Sequence, residues 1–545
     1  MGASITIMSI LSDRLSAEIL QARQRVYTVG EPTPLQRLNL PGIQAPVYAK
    51  REDLGPIRAY KWRGAFNCMA ALSQEARDKG IVAASNKIAQ LTEEERAHGV
   101  IASSAGNHAQ GVALAARVLN CHATIFMPRS TPEVKQTEVR RHGGRHVKIM
   151  LHGDCYDETA AAAHEYTETH GCTFVHPYDD LVTMAGQGTL ADEVVMSGEG
   201  PFDRAYVAIG GGGLAASVAC WLKKFWPRIK VIGVEGIDQA SMKTSIEQGR
   251  RVNLDYVDVF CDGTAVHIPG ELTYPLCREL VDEFVTVTNN EVCQAIRAMW
   301  ESSRVVPEPS GAMSLAGFLK QWNRGEVKPE EKSFVVISGA NMDFTHLTQI
   351  ARQAGIGNHE TRYLRISMDS KRGQVLKYLR HIPQDTTLVD VQYGKTEGNT
   401  QHPVFGIAAS DEDLDTIRTT LKKKGIEFED ISEDDDVRFR MIHYQPELCQ
   451  HPLFVHIEFP ERAGAFLDFM ERIADLASLC YFNYTYTGER VGRALVGMEF
   501  DTAEDRETIR KRMGAFSKNI IRSIREISPE AFQRIMGSRQ LTGNH

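Results

Sequence analysis

The chain has 545 residues, 42% of them apolar and 24% charged, with a formal net charge of −8. At roughly 150 residues per domain this suggests three or four domains with a sizeable core, and the composition excludes a disordered or fibrous chain. Scattered basic residues leave no footprint for nucleic acid, and no run of about 18 apolar residues marks a membrane span, so a small-molecule enzyme fits best.

The N-terminal stretch MGASITIMSILSDRLSAEIL is partly apolar, but it has no basic residues before it and no clear small-residue cleavage site. Ten cysteines lie between Cys68 and Cys480 without a C-x-x-C pair or a Cys/His cluster at zinc spacing. Neither a disulfide scaffold nor a metal site is expected, and a reducing, cytoplasmic location is.

From about Val47 to Ala340, short apolar runs alternate with helical stretches: APVYAK, HGVIASS, CHATIFMP, RHVKIML, CTFVHP, RAYVAIG, KVIGVEG and KSFVVISG. Each reads as a buried strand, a Gly/Ser-rich turn and a helix, the pattern of parallel α/β architecture. Ligands of such sheets gather beyond the carboxyl ends of the strands, the rim on which several of these runs place motifs.

The first motif is Ala59-Tyr60-Lys61-Trp62-Arg63-Gly64-Ala65, after AKRED and a loop with Gly55 and Pro56. Most lysines are solvated surface groups, but one between aromatic residues and ahead of the apolar helix FNCMAAL is placed for partial desolvation. Burial disfavours the ammonium form and yields the neutral amine that Schiff-base formation and proton abstraction need. The second motif runs from Ser103 to Gly111 after the strand GVIA. Backbone N–H groups at the start of the next helix bind a carboxylate, and the Asn107 amide suits a phenolate or carboxylate oxygen. An ordinary helix start, capped by Ser104 with Asn107 exposed, fits the same residues.

The third motif, Gly210-Gly211-Gly212-Gly213-Leu214, joins RAYVAI to the helix AASVACWLKKF. Four glycines cost conformational entropy, which a close backbone approach to a phosphate at the helix N-terminus explains. The spacing is neither a dinucleotide fingerprint nor a Walker loop, and a flexible turn is the alternative. The fourth, Ser338-Gly339-Ala340-Asn341, ends the strand SFVVI. Its hydroxyl suits a pyridine nitrogen left unprotonated; taken alone it is an ordinary turn serine.

After about Gly357 the chain repeats itself. Gly373 precedes Tyr393 by 20 residues and Gly464 precedes Tyr484 by the same 20; HPVFGIAAS and GRALVGMEF continue at an offset of 91, with Gly406 opposite Gly497, before a one-residue slip aligns Ile417 with Ile509. Each copy reads as a strand (YLRISM; PLFVHIEF), a turn, a helix (QVLKYLRHI; AFLDFMERIA), two strands and a second helix. These β-α-β-β-α units resemble ACT-like regulatory domains, a plain oligomer interface being the alternative.

Together and in this order the four motifs resemble those of the fold-type II pyridoxal-phosphate enzymes, and closely those of the biosynthetic threonine dehydratases. KREDLGP, AGQGTLADE (Ala185 to Glu193), EPSGAMSLAG (Glu308 to Gly317) and the double C-terminal unit extend the likeness from about residue 15 to the end. The expected division is an α/β fold-type II catalytic domain over 1–356, followed by two α+β ACT-like regulatory domains over 360–440 and 450–545.

The resemblance implies pyridoxal 5'-phosphate held by Lys61 as a Schiff base, with Asn107 on its 3-oxygen. It implies Gly210, Gly211, Gly212, Gly213 and Leu214 around the phosphate, Ser338 on the ring nitrogen, and Ser104, Ala105, Gly106, Asn107 and His108 at the substrate carboxylate. The implied activity turns L-threonine into 2-oxobutanoate and ammonia, with Lys61 removing the α-proton and L-serine a poorer substrate. Isoleucine is the implied feedback effector, and a homo-oligomer, a tetramer by the family's habit, the implied assembly.

Two departures stand out. Ala59 occupies a position where the family usually has serine, removing one hydroxyl near the cofactor, and the stretch from Leu72 to Leu91 reads as a surface insertion without chemistry. Glu308 carries no assigned role. The rival readings are a serine racemase, whose second acid/base is commonly a serine where this chain has Ala105, and a catalytically silent amino-acid sensor, favoured by Ala59 alone.

Overall fold

The computed structural model describes residues 2–72, 100–104, 106–153, 156–170 and 172–357, and beyond these 361–369, 387–392, 400–402, 404–408, 411–432, 434, 451–460, 469, 472–473, 476–485, 491–516, 521–528 and 530–531. Ala105, Gly373, Tyr393, Gly464, the stretch from 73 to 91, the helix QVLKYLRHI and most of AFLDFMERIA lie outside the described residues. The chain divides into two compact units, Met1–Phe344 and Thr345–His545. Among the described residues no helix is long and apolar enough to cross a membrane.

In the first unit the apolar runs become strands: β1 (Leu35–Leu38), β2 (Val47–Arg51), β3 (Val100–Ser103), β4 (Ala123–Met127), β5 (Val147–Leu151), β6 (Thr173–Phe174), β7 (Arg204–Ala208), β8 (Lys230–Gly236), β9 (Glu283–Val287) and β10 (Ser333–Ile337). They form two sheets, in the orders β1-β2-β10-β7-β8-β9 and β5-β4-β3-β6. All pairings are parallel except that of β1 with β2. Strands β2, β4, β7 and β10 are buried at every residue, which is why they read as unbroken apolar runs instead of alternating ones. The two strands that sequence patterning misses, β1 (LQRL) and β9 (EFVTV), are edge strands with polar, partly exposed positions.

The helices that bear on the site are α1 (Gly2–Val26), α2 (Trp62–Ala71), α3 (Asn107–Val118), α4 (Glu133–Gly143), α5 (Leu181–Met196), α6 (Gly213–Phe225), α7 (Thr273–Leu280) and α8 (Pro309–Asn323). One apolar core joins Leu15 and Ile19 of α1 to Val207 and Phe334 of the larger sheet, and a second joins Trp62 and Phe66 of α2 to Val100 and Ile125 of the smaller. Helices α2 and α5 meet backbone to backbone through glycine: a Cβ on Gly186 would lie 2.4 Å from Arg63 O, and one on Gly64 2.7 Å from Thr183 O. That contact gives a physical reason for the glycines of AGQGTLADE, because any larger residue would push α2 away.

The second unit opens with α9 (His346–Gly357) and contains β11 (Thr361–Ile366), β12 (Met368–Asp369), β13 (Thr387–Gln392), β14 (Thr400–Gln401), β15 (Val404–Ala408), α10 (Asp411–Lys423), β16 (Phe428–Asp430), β17 (Leu453–Pro460), β18 (Ser478–Thr485), β19 (Val491–Glu499), α11 (Ala503–Gly514) and β20 (Ser523–Glu526). Two antiparallel sheets, β13-β15-β11-β16 and β18-β19-β17-β20, have the same spatial order, and β12 pairs with β14 in a short ribbon. The repeat holds at the level of register. Gly406 lies between Tyr363 and Asp390, Gly497 lies between Phe454 and Tyr481, and each second strand is irregular at the same place, after Leu388 and after Leu479. Ile417 and Ile509, matched by sequence alone, are both fully buried. The expected β-α-β-β-α unit needs one correction: each copy ends in a fourth strand, β16 or β20, beside its first. Those strands (FED and SIRE) have too few apolar residues to signal themselves.

Candidate active site

Lys61 sits at the mouth of α2, half-buried, in helical conformation, and its carbonyl accepts from Ala65 N. The backbone before it is stitched to the segment after β10: Ala59 bridges Gly339, Tyr60 N donates to Ser338 O at 3.0 Å, and Ala340 N donates to Arg58 O at 2.8 Å. The lysine motif and the serine motif are therefore one piece of local structure, although 277 positions separate Lys61 from Ser338. Lys61 Nζ donates to Gly263 O at 3.2 Å.

A cavity opens beyond the carboxyl ends of β3, β7 and β10, where ligands of such sheets gather. Lys61, Asn107, Gly210, Gly211, Gly212, Gly213, Leu214 and Ser338 all line it. Tyr178, Gly263, Thr264, Glu308 and Ser310 line it as well, and sequence reasoning did not assign them. Their available signals were the run EPSGAMSLAG and the D-G-T-A-V stretch, neither of which carries chemistry on its face.

The glycine loop is a cradle that side chains would fill. A Cβ on Gly211 would stand 2.3 Å from the Tyr178 ring, one on Gly213 2.6 Å from Tyr178 O, and one on Gly210 2.9 Å from Thr264 Cα. Gly212 has φ +95°, a conformation costly for any residue with a Cβ. The loop is anchored from behind, since Gly211 O accepts from Thr273 Oγ1 at 2.5 Å and from Gly270 N at 3.3 Å. Helix α6 starts at Gly213, and the first N–H groups of a helix have no partner within it, so the cradle presents donors and a positive dipole end to an anion. A dianionic phosphate ester fits this arrangement.

Ser338 is buried and its hydroxyl makes only a long bond, 3.4 Å, to Ser310 O. Asn107 is buried too, not exposed as an ordinary helix start would have it, and the residue at the cap is Gly106, with no side-chain cap. Its Nδ2 donates to Glu308 Oε1 at 2.7 Å. In the rest of the loop Ser104 Oγ accepts from Gly106 N, and the His108 ring is tied through Nε2 to Val175 O at 2.8 Å. Asn107 is the described loop residue that lines the cavity, while Ser104, Gly106 and His108 do not. Burial, with the nearby Lys61 and His176 in support, pushes the His108 imidazole down to about 3, so it is neutral.

Two residues beyond Lys61, the fully buried Arg63 enters a charge cluster. Its Nε donates to Glu52 Oε2 at 2.7 Å and its Nη1 to Glu193 Oε1 at 2.5 Å and Thr189 Oγ1 at 3.0 Å. Lys50 Nζ donates to Thr33 O at 2.5 Å and pairs closely with Glu193 Oε2, while Tyr27 OH donates to Glu193 Oε1 at 2.8 Å. Burial by itself would push the Glu52 carboxyl up, but Arg63 and Lys50 together hold it below the usual carboxylate range. Two cations and two carboxylates balance, and through Arg63 they tether the first turn of α2, directly after Lys61.

Residues 26–339 match the family model of pyridoxal-phosphate dependent enzymes, and residues 449–522 match the C-terminal regulatory domain of threonine dehydratase. A biosynthetic L-threonine dehydratase of Haemophilus influenzae is 34% identical over 501 residues, 91% of this chain and 93% of that one. The Escherichia coli counterpart is 34% identical over 508 residues, 91% and 94%. Among solved structures, the processed form of threonine deaminase isoform 2 from Solanum lycopersicum aligns with a TM-score of 0.56 and 37% identity, over 63% of this chain and 94% of that one. Maize serine racemase aligns at 0.53 and 27%, over 62% and 97%.

Proposed function

Because the chain belongs to the pyridoxal-phosphate dependent enzymes and, among them, to the biosynthetic threonine dehydratases, we infer that it converts L-threonine to 2-oxobutanoate and ammonia. The observation that carries the reading is the convergence, in one cavity, of a lysine amine, an anion cradle of four glycines and a serine hydroxyl brought from three distant stretches of chain. Bound pyridoxal phosphate supplies an aldehyde that bonds covalently to an amine and a ring that accepts electrons when an α-proton leaves.

The chain's own residues then divide the work. Lys61 Nζ would be the attachment point of the cofactor and, as a free amine, the base that takes the α-proton of the substrate. The N–H groups from Gly210 to Leu214 hold the phosphate. The Asn107 amide would donate to the 3-oxygen and the Ser338 hydroxyl to the ring nitrogen without protonating it, a setting that would favour loss of a β-substituent. The loop from Ser104 to His108 holds the substrate carboxylate through its backbone, with His108 serving as a neutral buttress. Isoleucine acts on the second unit as feedback effector, which requires that it bind two states of the protein with different affinity. The assembly is a cytoplasmic homotetramer.

One assay tests the reading: release of 2-oxobutanoate from threonine and of pyruvate from serine by the full chain, with isoleucine titrated. Threonine turnover above serine turnover, falling as isoleucine rises, is the expected result. No 2-oxobutanoate from threonine would sink the enzymatic reading; turnover indifferent to isoleucine would sink the regulatory part alone.

A further inference from the structure

Glu308 is the acidic side chain among the residues lining the cavity, and it is 3% exposed. Both of its oxygens accept: Oε1 from Asn107 Nδ2 at 2.7 Å and Oε2 from the backbone N of Asn341 at 3.0 Å. Asn341 Nδ2 in turn donates to Ile57 O at 2.6 Å and to Asn107 Oδ1 at 2.8 Å, with Gln110 Oε1 at 3.2 Å. The polarity of this ring is set from one end. A backbone carbonyl only accepts, so Asn341 turns its NH2 toward Ile57, Asn107 meets that NH2 with its oxygen, and the NH2 of Asn107 faces Glu308. Glu308 uses one hydrogen of that NH2 and leaves the second for a ligand in the cavity.

We propose that Glu308 is the positioning residue of the cofactor site: it locks the Asn107 amide with one N–H free for the 3-oxygen, and couples α3 to the start of α8 and the end of β10. The inference rests on the assignment of Asn107 to the 3-oxygen made above. A carboxyl is required because both neighbours are donors. Glutamine would turn an NH2 toward either Asn107 or Asn341, leaving a buried donor against a donor. The groups facing Glu308 are Tyr60 and Lys61 ahead of α2, Lys135 from α4, and Asp262 beside Gly263. Burial first, then the Asp262 carboxylate, pushes Glu308 up to about 7, so its charge changes in the neutral range.

The test is a double-mutant cycle read in the dissociation constant of pyridoxal phosphate from the full chain. Glu308→Gln should weaken binding about ten-fold in the wild-type background and less than about two-fold on Asn107→Ala, with Glu308→Asp recovering part of the loss. The pH midpoint of the holoenzyme's visible band should move in Glu308→Gln, a change that a merely structural role would not produce. An equal loss in both backgrounds, or an unmoved midpoint, would overturn the proposal. Unchanged affinity in Asn107→Ala would overturn the Asn107 assignment and this proposal together. Should Glu308→Gln fail to fold, Glu308→Asp in the two backgrounds makes the same comparison.

Discussion

Lys61 and Arg63 lie two residues apart at the start of one helix and occupy different surroundings. The arginine is fully buried, and its fork is taken up by Glu52, Glu193 and Thr189. The lysine is half-buried at a cavity wall, where its amine donates to the Gly263 carbonyl at 3.2 Å. A cation held by two carboxylates is locked in place, whereas an amine at a cavity wall lies where a bound molecule can reach it. The difference shows how residues two apart can be given separate tasks, one anchoring the helix in the core and one turned to the cavity wall.

The contrast predicts that the two substitutions fail in different ways. Lys61→Ala should cut 2-oxobutanoate release by more than about a thousand-fold while leaving the urea midpoint near that of the wild type. Arg63→Ala strands Glu52 and Glu193 without a partner and should cost about 3–5 kcal/mol in urea unfolding. An Arg63→Ala protein with wild-type stability would dissolve the distinction.

The glycine cradle sharpens the same comparison from the anionic side. Gly211→Ala forces a methyl into the Tyr178 ring and should cost about 1–3 kcal/mol of stability together with a clear loss of cofactor affinity, measured by melting and by reconstitution. Wild-type affinity in that variant would mean that the loop has slack the contacts deny.

The smallest effect separates two buried carboxyls by the sign of their pH dependence. Glu308 keeps its proton to about 7 in the folded chain against 4.5 when unfolded, so the folded state binds more protons between those values. Its stabilising contribution is complete below about 4.5 and is lost as pH rises toward 7. Glu52 behaves oppositely: held low, it contributes above the usual carboxylate range and loses that contribution as acid protonates it. The stability gap between wild type and Glu308→Gln, followed by urea unfolding of the apo chain, should drift against the wild type by about 1 kcal/mol or more across that window.

Sequence reading recovered what is local. Buried parallel strands announce themselves as apolar runs, and the four glycines at a strand-to-helix junction announce a close approach. It placed Lys61, Asn107, the glycines and Ser338, all of which line one cavity. It did not reach what depends on long-range pairing: that the strands divide between two sheets, that Ala59 bridges Gly339, or that Glu308 faces Asn107 across 201 positions. The cluster of Lys50, Glu52, Arg63 and Glu193 was invisible for the same reason, since each member alone looks like a surface charge. The fourth strand of each C-terminal copy was missed because an edge partner with one or two apolar residues has no period to detect.

The matched kink in the two C-terminal copies gives paired strand positions in one copy a registered twin in the other: Tyr363 with Phe454, Asp390 with Tyr481, Gly406 with Gly497. A substitution made in one half thus arrives with its own internal control, and side chains traded between twins ask which half listens and which merely stands beside it.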